Sequence, residues 1–140
     1  MTRCIGVLWT AMLALSSGCS GPTGGAGPAR EPQEVTLYEV ADMVRAASQN
    51  AGRGPTKLSD FDRSRSLYPN GYQAIKSGEV VVLWGGGGVK GEGEMAKGGG
   101  VVIAHAKTTP TEGGYVLLDS GEVKKMTAAE FAAAPKAGKK

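Results

Sequence analysis

Two cysteines, one histidine and two phenylalanines in 140 residues leave this chain short of the side chains that most often carry chemistry. Both cysteines, Cys4 and Cys19, fall near the N-terminus, so everything after them is free of thiols. That excludes a disulfide framework, a Cys-ligated zinc site and a cysteine nucleophile for the remainder, whose stability must come from its core. Serines abound, but there is no Gly-x-Ser-x-Gly elbow, and the single His105 gives a Ser-His-Asp arrangement no support. The longest apolar run, Ile5 to Leu15, falls short of the ~20 residues that a spanning helix needs. The formal charge is only +3, and basic residues are scattered except at Lys136, Lys139 and Lys140. A nucleic-acid surface would want a dense basic stripe with interleaved aromatics, so no nucleic-acid partner is expected.

Glycine is what the chain has in quantity, 23 residues of it. From Ser20 to Gln33 the chain reads S-G-P-T-G-G-A-G-P-A-R-E-P-Q, a composition that cannot pack and predicts a flexible tether. A second run, Gly85 to Gly100, reads G-G-G-G-V-K-G-E-G-E-M-A-K-G-G-G. Gly86, Gly88 and Gly91 satisfy G-x-G-x-x-G there, but in so glycine-dense a stretch the pattern arises by chance. No helix follows to present its N-terminus to a phosphate, and neither Lys90 nor Lys97 sits in a Gly-Lys-Ser/Thr context. The segment reads as a flexible loop between strands, and its Glu92 and Glu94 lack the fixed geometry of an acid–base pair.

Between these runs lies the folded part, expected to span 34–135. Leu37, Val40, Val44 and Ala47 recur at helical spacing over Val35 to Gln49, with Thr36 and Glu39 placed as a capping box and Val35 and Val40 as its hydrophobic staple. Asn50, Gly52 and Pro55 end that helix. Short helical turns are predicted near Ser59–Arg63 and Gly71–Lys76, the latter stopped by Gly78. Glu79 to Trp84 is apolar without alternation, which predicts a central strand buried on both faces. Further strands are predicted at Val101–Lys107, Tyr115–Asp119 and Glu122–Met126, the last two joined through Asp119-Ser120-Gly121. Thr127 and Glu130 form a second capping box, with Met126 and Phe131 as staple, opening a short helix that Pro135 ends. The remaining 136–140 reads as a disordered basic tail. The fold class is α+β: an N-terminal helix packed on a small antiparallel sheet of three or four strands, with a short C-terminal helix.

The N-terminal residues resemble a bacterial lipoprotein signal. Arg3 precedes the apolar run Ile5–Leu15, and Ser16-Ser17-Gly18-Cys19 resembles a lipobox, with Ser16 where the family usually has Leu. The resemblance implies removal of residues 1–18, lipidation of Cys19, and a protein held on a membrane by two or more acyl chains without spanning it. Ser20 in place of an aspartate favours the outer membrane among cell-envelope locations. A second resemblance covers Gly113 to Phe131, which is similar to the closing hairpin and helix of H-x9-DG pilin-like proteins of planctomycete-type bacteria. Tyr68 to Val82 looks like small lipoproteins of the same group. The chain departs from that pattern in the distance from histidine to aspartate, in Ser120 between Asp119 and Gly121, and in having no prepilin N-terminus. The likeness therefore implies a fold and not pilus assembly.

The functional expectation is a non-catalytic, lipid-anchored envelope protein without cofactor or metal, meeting an envelope protein or the wall through a sheet edge and the Gly85–Gly100 segment. Two rivals are carried with it. One is an envelope hydrolase or metal enzyme using His105, placed by alternation on the face of Val101 and Ile103, with Asp119 or Glu112. The other is a small-ligand module with Trp84, Tyr72 and Tyr115 lining an aromatic groove.

Overall fold

A computed structural model describes residues 29–89 and 100–138. The expectations for Cys19, the signal segment and most of the tether fall outside these residues. The chain is α+β, with a four-stranded antiparallel sheet in the order β1-β2-β3-β4 and a short helix at its C-terminal end. Helix α1 is Pro32–Ala51, followed by a single 3-10 turn at Leu58–Phe61 and α2 at Pro69–Ser77. Strand β1 is Val80–Val82, β2 Val102–Ala106, β3 Gly114–Leu118 and β4 Val123–Met126. A one-turn helix, α3, lies at Thr109–Glu112 between β2 and β3, and α4 is Ala128–Ala133.

Helix α1 begins three residues earlier than its hydrophobic pattern predicts, because Pro32 takes the first helical position, where its fixed φ is already helical and its missing N–H costs nothing. The expected capping box does not form. Thr36 turns its hydroxyl back to the Pro32 carbonyl at 2.9 Å. Glu39 is recruited elsewhere: its carboxylate accepts from the Gly71 amide at 2.7 Å and the Asn70 side-chain amide at 2.9 Å. Those groups belong to the first turn of α2, so Glu39 caps a neighbouring helix and complements its positive end. Val35 is 43% exposed and is no staple. Gly71 lies where α2 meets α1, and a Cβ there would stand 3.0 Å from the Glu39 Cβ and 3.2 Å from the Met43 sulfur.

The apolar stripe of α1 does what its period requires. Leu37, Val40, Met43 and Val44 are buried in one cluster with Val80 and Val82 of β1, Ile103 and Ala104 of β2, Tyr115 and Leu117 of β3, and Phe61. Burying four such side chains contributes roughly 6–12 kcal/mol before entropy is charged against it. A second, smaller cluster joins Val102, Val116, Leu118, Met126 and Phe131.

The structure corrects the expectation that Glu79–Trp84 forms a central strand. The strand contracts to three residues at the sheet edge, with Val80 and Val82 buried and Val81 37% exposed. The central positions go to β2 and β3, in which every residue is buried. An apolar run tells that a segment is wanted inside, not which neighbours it acquires.

The C-terminal end is corrected too. Within the expected disordered tail, Lys136 forms a parallel bridge with Val102: the Val102 amide donates to the Pro135 carbonyl and the Ala137 amide to the Val102 carbonyl, each at 2.9 Å. This strap takes up β2 where β1 peels away after Leu83.

Candidate functional site

His105 is the one histidine of the chain. It pairs with Val81 on one side and Val116 on the other, near the middle of the sheet. Its face differs from the one that alternation predicts. Val102 stands opposite Leu118 and Ala104 opposite Leu117, so β2 carries one extra residue, a bulge at Ile103. The bulge reverses parity, turning Ile103 into the α1 side and His105 onto the opposite face with Val102 and Val116. There the imidazole is 7% exposed and packs against Phe131, ring centroids 4.7 Å apart at 58°. Its Nδ1 lies 2.9 Å from the Ala106 carbonyl oxygen. A carbonyl only accepts, so Nδ1 carries the hydrogen. This is a histidine held by packing and one backbone bond.

The carboxylates proposed to join it do not converge. Glu112 is exposed in α3, before β3 begins, whereas Asp119 follows β3. The extended five-residue strand holds its two ends about 13 Å apart. Asp119 is buried at the far end, where its carboxylate accepts from the Val101 amide at 3.3 Å and its own amide donates to the Val101 carbonyl at 2.9 Å. Among the described residues no three His, Cys, Asp or Glu side chains stand close enough to hold a metal ion.

The three aromatics are separated as well. Trp84, 37% exposed, leans on Phe61 with centroids 5.8 Å apart. Tyr72 donates its hydroxyl to Asp62 at 3.1 Å. Tyr115 is buried under α1, with Lys125 5.3 Å from its ring centroid. Burial, reinforced by the nearby Glu31 carboxylate, raises the Tyr115 hydroxyl above its ordinary pKa. A cleft of about 350 Å³ lies at the start of α1 and is lined by Thr36, Ala74, Glu79, Val80 and Lys107, with none of the three aromatics.

The glycine-rich segment divides. Lys90 to Gly99 lie outside the described residues. Gly85 to Val89 form a loop in which Gly86 and Gly88 pack against neighbouring segments while Gly85 and Gly87 are exposed. A Cβ on Gly86 would fall 2.0 Å from the Ala137 Cβ, one on Gly88 2.2 Å from the Ser48 hydroxyl, and one on the facing Gly54 2.3 Å from the Gly87 carbonyl oxygen. These glycines make room for backbone contact, and Ala137, 7% exposed, fills the notch beside Gly86. The strap is held further by Lys136, whose ammonium donates to the Phe131, Ala132 and Ala134 carbonyls and lies 4.5 Å from the Phe131 ring centroid. It thereby closes the negative end of α4.

The two sheet edges differ. At β4, Lys124 and Lys125 are exposed, a charged border that resists pairing with another strand. At β1 the exposed side chain is Val81. A feature the sequence reading passed over is the turn 62–67, where Arg63, Arg65 and Leu67 are exposed around the buried Ser64. Leu67, 73% exposed, is the most exposed large apolar side chain described. Its signal in the sequence is a leucine standing alone in R-S-R-S-L.

No family model matches the chain, and no curated protein and no solved structure matches it either. Among the described residues no helix is long and apolar enough to cross a membrane.

Proposed function

We propose that this is a lipid-anchored cell-envelope protein, carrying its acyl chains on Cys19 and presenting a small α+β domain, its first helix laid across the sheet, as a non-catalytic interaction module. The observation that carries the reading is the run from Arg3 through Ile5–Leu15 to Ser16-Ser17-Gly18-Cys19, a positive start, an apolar stretch too short to span and small residues ahead of a cysteine. The placement of α1 supports it: the first helix among the described residues starts at Pro32, thirteen positions after Cys19, and the Gly- and Pro-rich sequence between them suits a spacer. The site geometry supports the non-catalytic half. His105, Asp119 and Glu112 are dispersed, and His105 is occupied with Phe131 and Ala106.

Labelling cells with a clickable palmitate analogue tests the anchor. The wild-type protein takes up label and floats with membranes, and Cys19→Ala does neither. Label on Cys19→Ala, or an intact Met1 terminus on protein purified from cytosol, overturns the reading. Metal content and hydrolase activity of the purified protein, with His105→Ala beside it, test the second half, since stoichiometric metal lost in that variant refutes it.

A further inference from the structure

We propose that the turn 62–67 is a second membrane contact, in which Arg63 and Arg65 meet anionic lipid headgroups and Leu67 enters the interface. The inference rests on the anchored reading above. Ser64 fixes the turn, buried with its hydroxyl on the Phe61 carbonyl at 3.1 Å, while the Leu67 and Tyr68 amides donate back to the Ser64 carbonyl. With Ser64 held inward, Arg63, Arg65 and Leu67 project to solvent. Among the described residues neither arginine has an ion-pair or hydrogen-bond partner. The nearby carboxylates are engaged: Asp60 accepts from the Thr56 amide and stands 4.0 Å from Arg53, and Asp62 accepts from Tyr72. Residues 53–67 carry four basic side chains against two carboxylates, a surplus of two.

The size of the patch favours a lipid surface over a protein. A stable protein interface covers roughly 800 Å² on each partner, far more than three side chains on one turn supply, and Leu67 lines none of the clefts described. A bilayer asks only for basic side chains beside an apolar one. Such a contact is weak alone, but tethering raises the local concentration to the order of millimolar. The reach suffices. The thirteen residues from Cys19 to Pro32 extend at most about 45 Å, and α1, twenty residues long, spans about 30 Å. Arg63 lines a cleft with Ala47, Asn50 and Ala51 of the last turns of α1, within that range.

The test is co-sedimentation of the mature-length chain beginning at Cys19, purified without acylation, with vesicles of phosphatidylcholine alone or mixed with phosphatidylglycerol. Each basic side chain near an anionic surface contributes a factor of about five, so Arg63→Ser with Arg65→Ser weakens partitioning to the mixed vesicles roughly 25-fold. Leu67→Ser weakens it about tenfold. Arg63→Lys with Arg65→Lys retains binding, and Lys76→Ser, an exposed cation elsewhere, leaves it unchanged. The unaltered chain must also release from the mixed vesicles as salt rises. Equal partitioning of wild type and loop variants, an equal loss in Lys76→Ser, or indifference to salt overturns the proposal. Failure of palmitate labelling would strike the anchor and leave the vesicle result standing, so the two readings fail separately.

Discussion

Replacing Gly86 by alanine distinguishes a glycine needed for packing from one that merely keeps a loop loose. The added Cβ would fall 2.0 Å from the Ala137 Cβ and 2.9 Å from its Cα, distances that no rotamer relieves. One response is that the strap lifts off β2. That forfeits two backbone bonds at Val102, about 0.5–1.5 kcal/mol each, and roughly 0.8 kcal/mol for the buried Ala137 methyl. The other is that both segments shift and absorb overpacking of about 1–3 kcal/mol. Against either stands about 0.4–1 kcal/mol gained from a stiffer unfolded chain. The net expectation is a loss of about 1–3 kcal/mol, or roughly 5–15 °C in the midpoint of thermal unfolding for a domain of this size. Gly100 is the internal control, since a Cβ there meets nothing within 4 Å and Gly100→Ala is expected to be neutral or slightly stabilising. Ala137→Gly combined with Gly86→Ala removes the closest collision but leaves the 2.9 Å approach to the Cα of residue 137, and is expected to recover part of the loss. The reasoning fails if the two glycine variants unfold together, or if the double variant is no better than Gly86→Ala alone.

Two further outcomes follow from the caps. Glu39→Ala is expected to cost about 1–2 kcal/mol in denaturant unfolding because it uncaps α2, whereas Thr36→Ala changes stability by less than about 0.5 kcal/mol; the reverse order would restore the local capping box that the sequence suggests. Glu130 accepts from the Thr127 amide and hydroxyl at 2.8 and 2.9 Å, and that backbone bond above all lowers its pKa. Because the folded value lies below the unfolded one, the contribution is complete above the ordinary carboxylate range and is lost as pH falls through the folded value. Glu130→Gln is therefore expected to flatten the acid limb of a stability-against-pH curve; an unchanged slope below pH ~4 would show that the cap contributes nothing measurable.

Much of the secondary structure was legible because its causes are local. The stripe Leu37-Val40-Val44, the αL glycines Gly52 and Gly78 ending α1 and α2, and the Thr127–Glu130 box opening α4 each sit where the residues alone place them. The strands after Gly100 fall within a residue or so of their expected bounds, and the β3–β4 turn uses Gly121 at φ 85°. What failed were inferences about partners. Thr36 and Glu39 satisfy the capping-box spacing, yet the carboxylate goes to Gly71, 32 positions away. Val80–Val82 is apolar enough for a sheet centre and lies at its edge.

The candidate site divides the same way. From the chain alone came the thiol-free body, the single histidine, the short apolar run ahead of Cys19 and the glycine runs, because these are matters of which groups exist and how far apart they stand along the backbone. Tertiary structure alone decided that one extra residue at Ile103 turns His105 toward Phe131, that β3 keeps Glu112 and Asp119 apart, that Gly86 is a notch for Ala137, and that Ser64 pins a turn presenting Arg63, Arg65 and Leu67. Each depends on contact between segments distant in sequence. A local pattern encodes how much a side chain gains from leaving water, but the neighbour it then meets is set by how the whole chain closes its hydrogen bonds and fills its core.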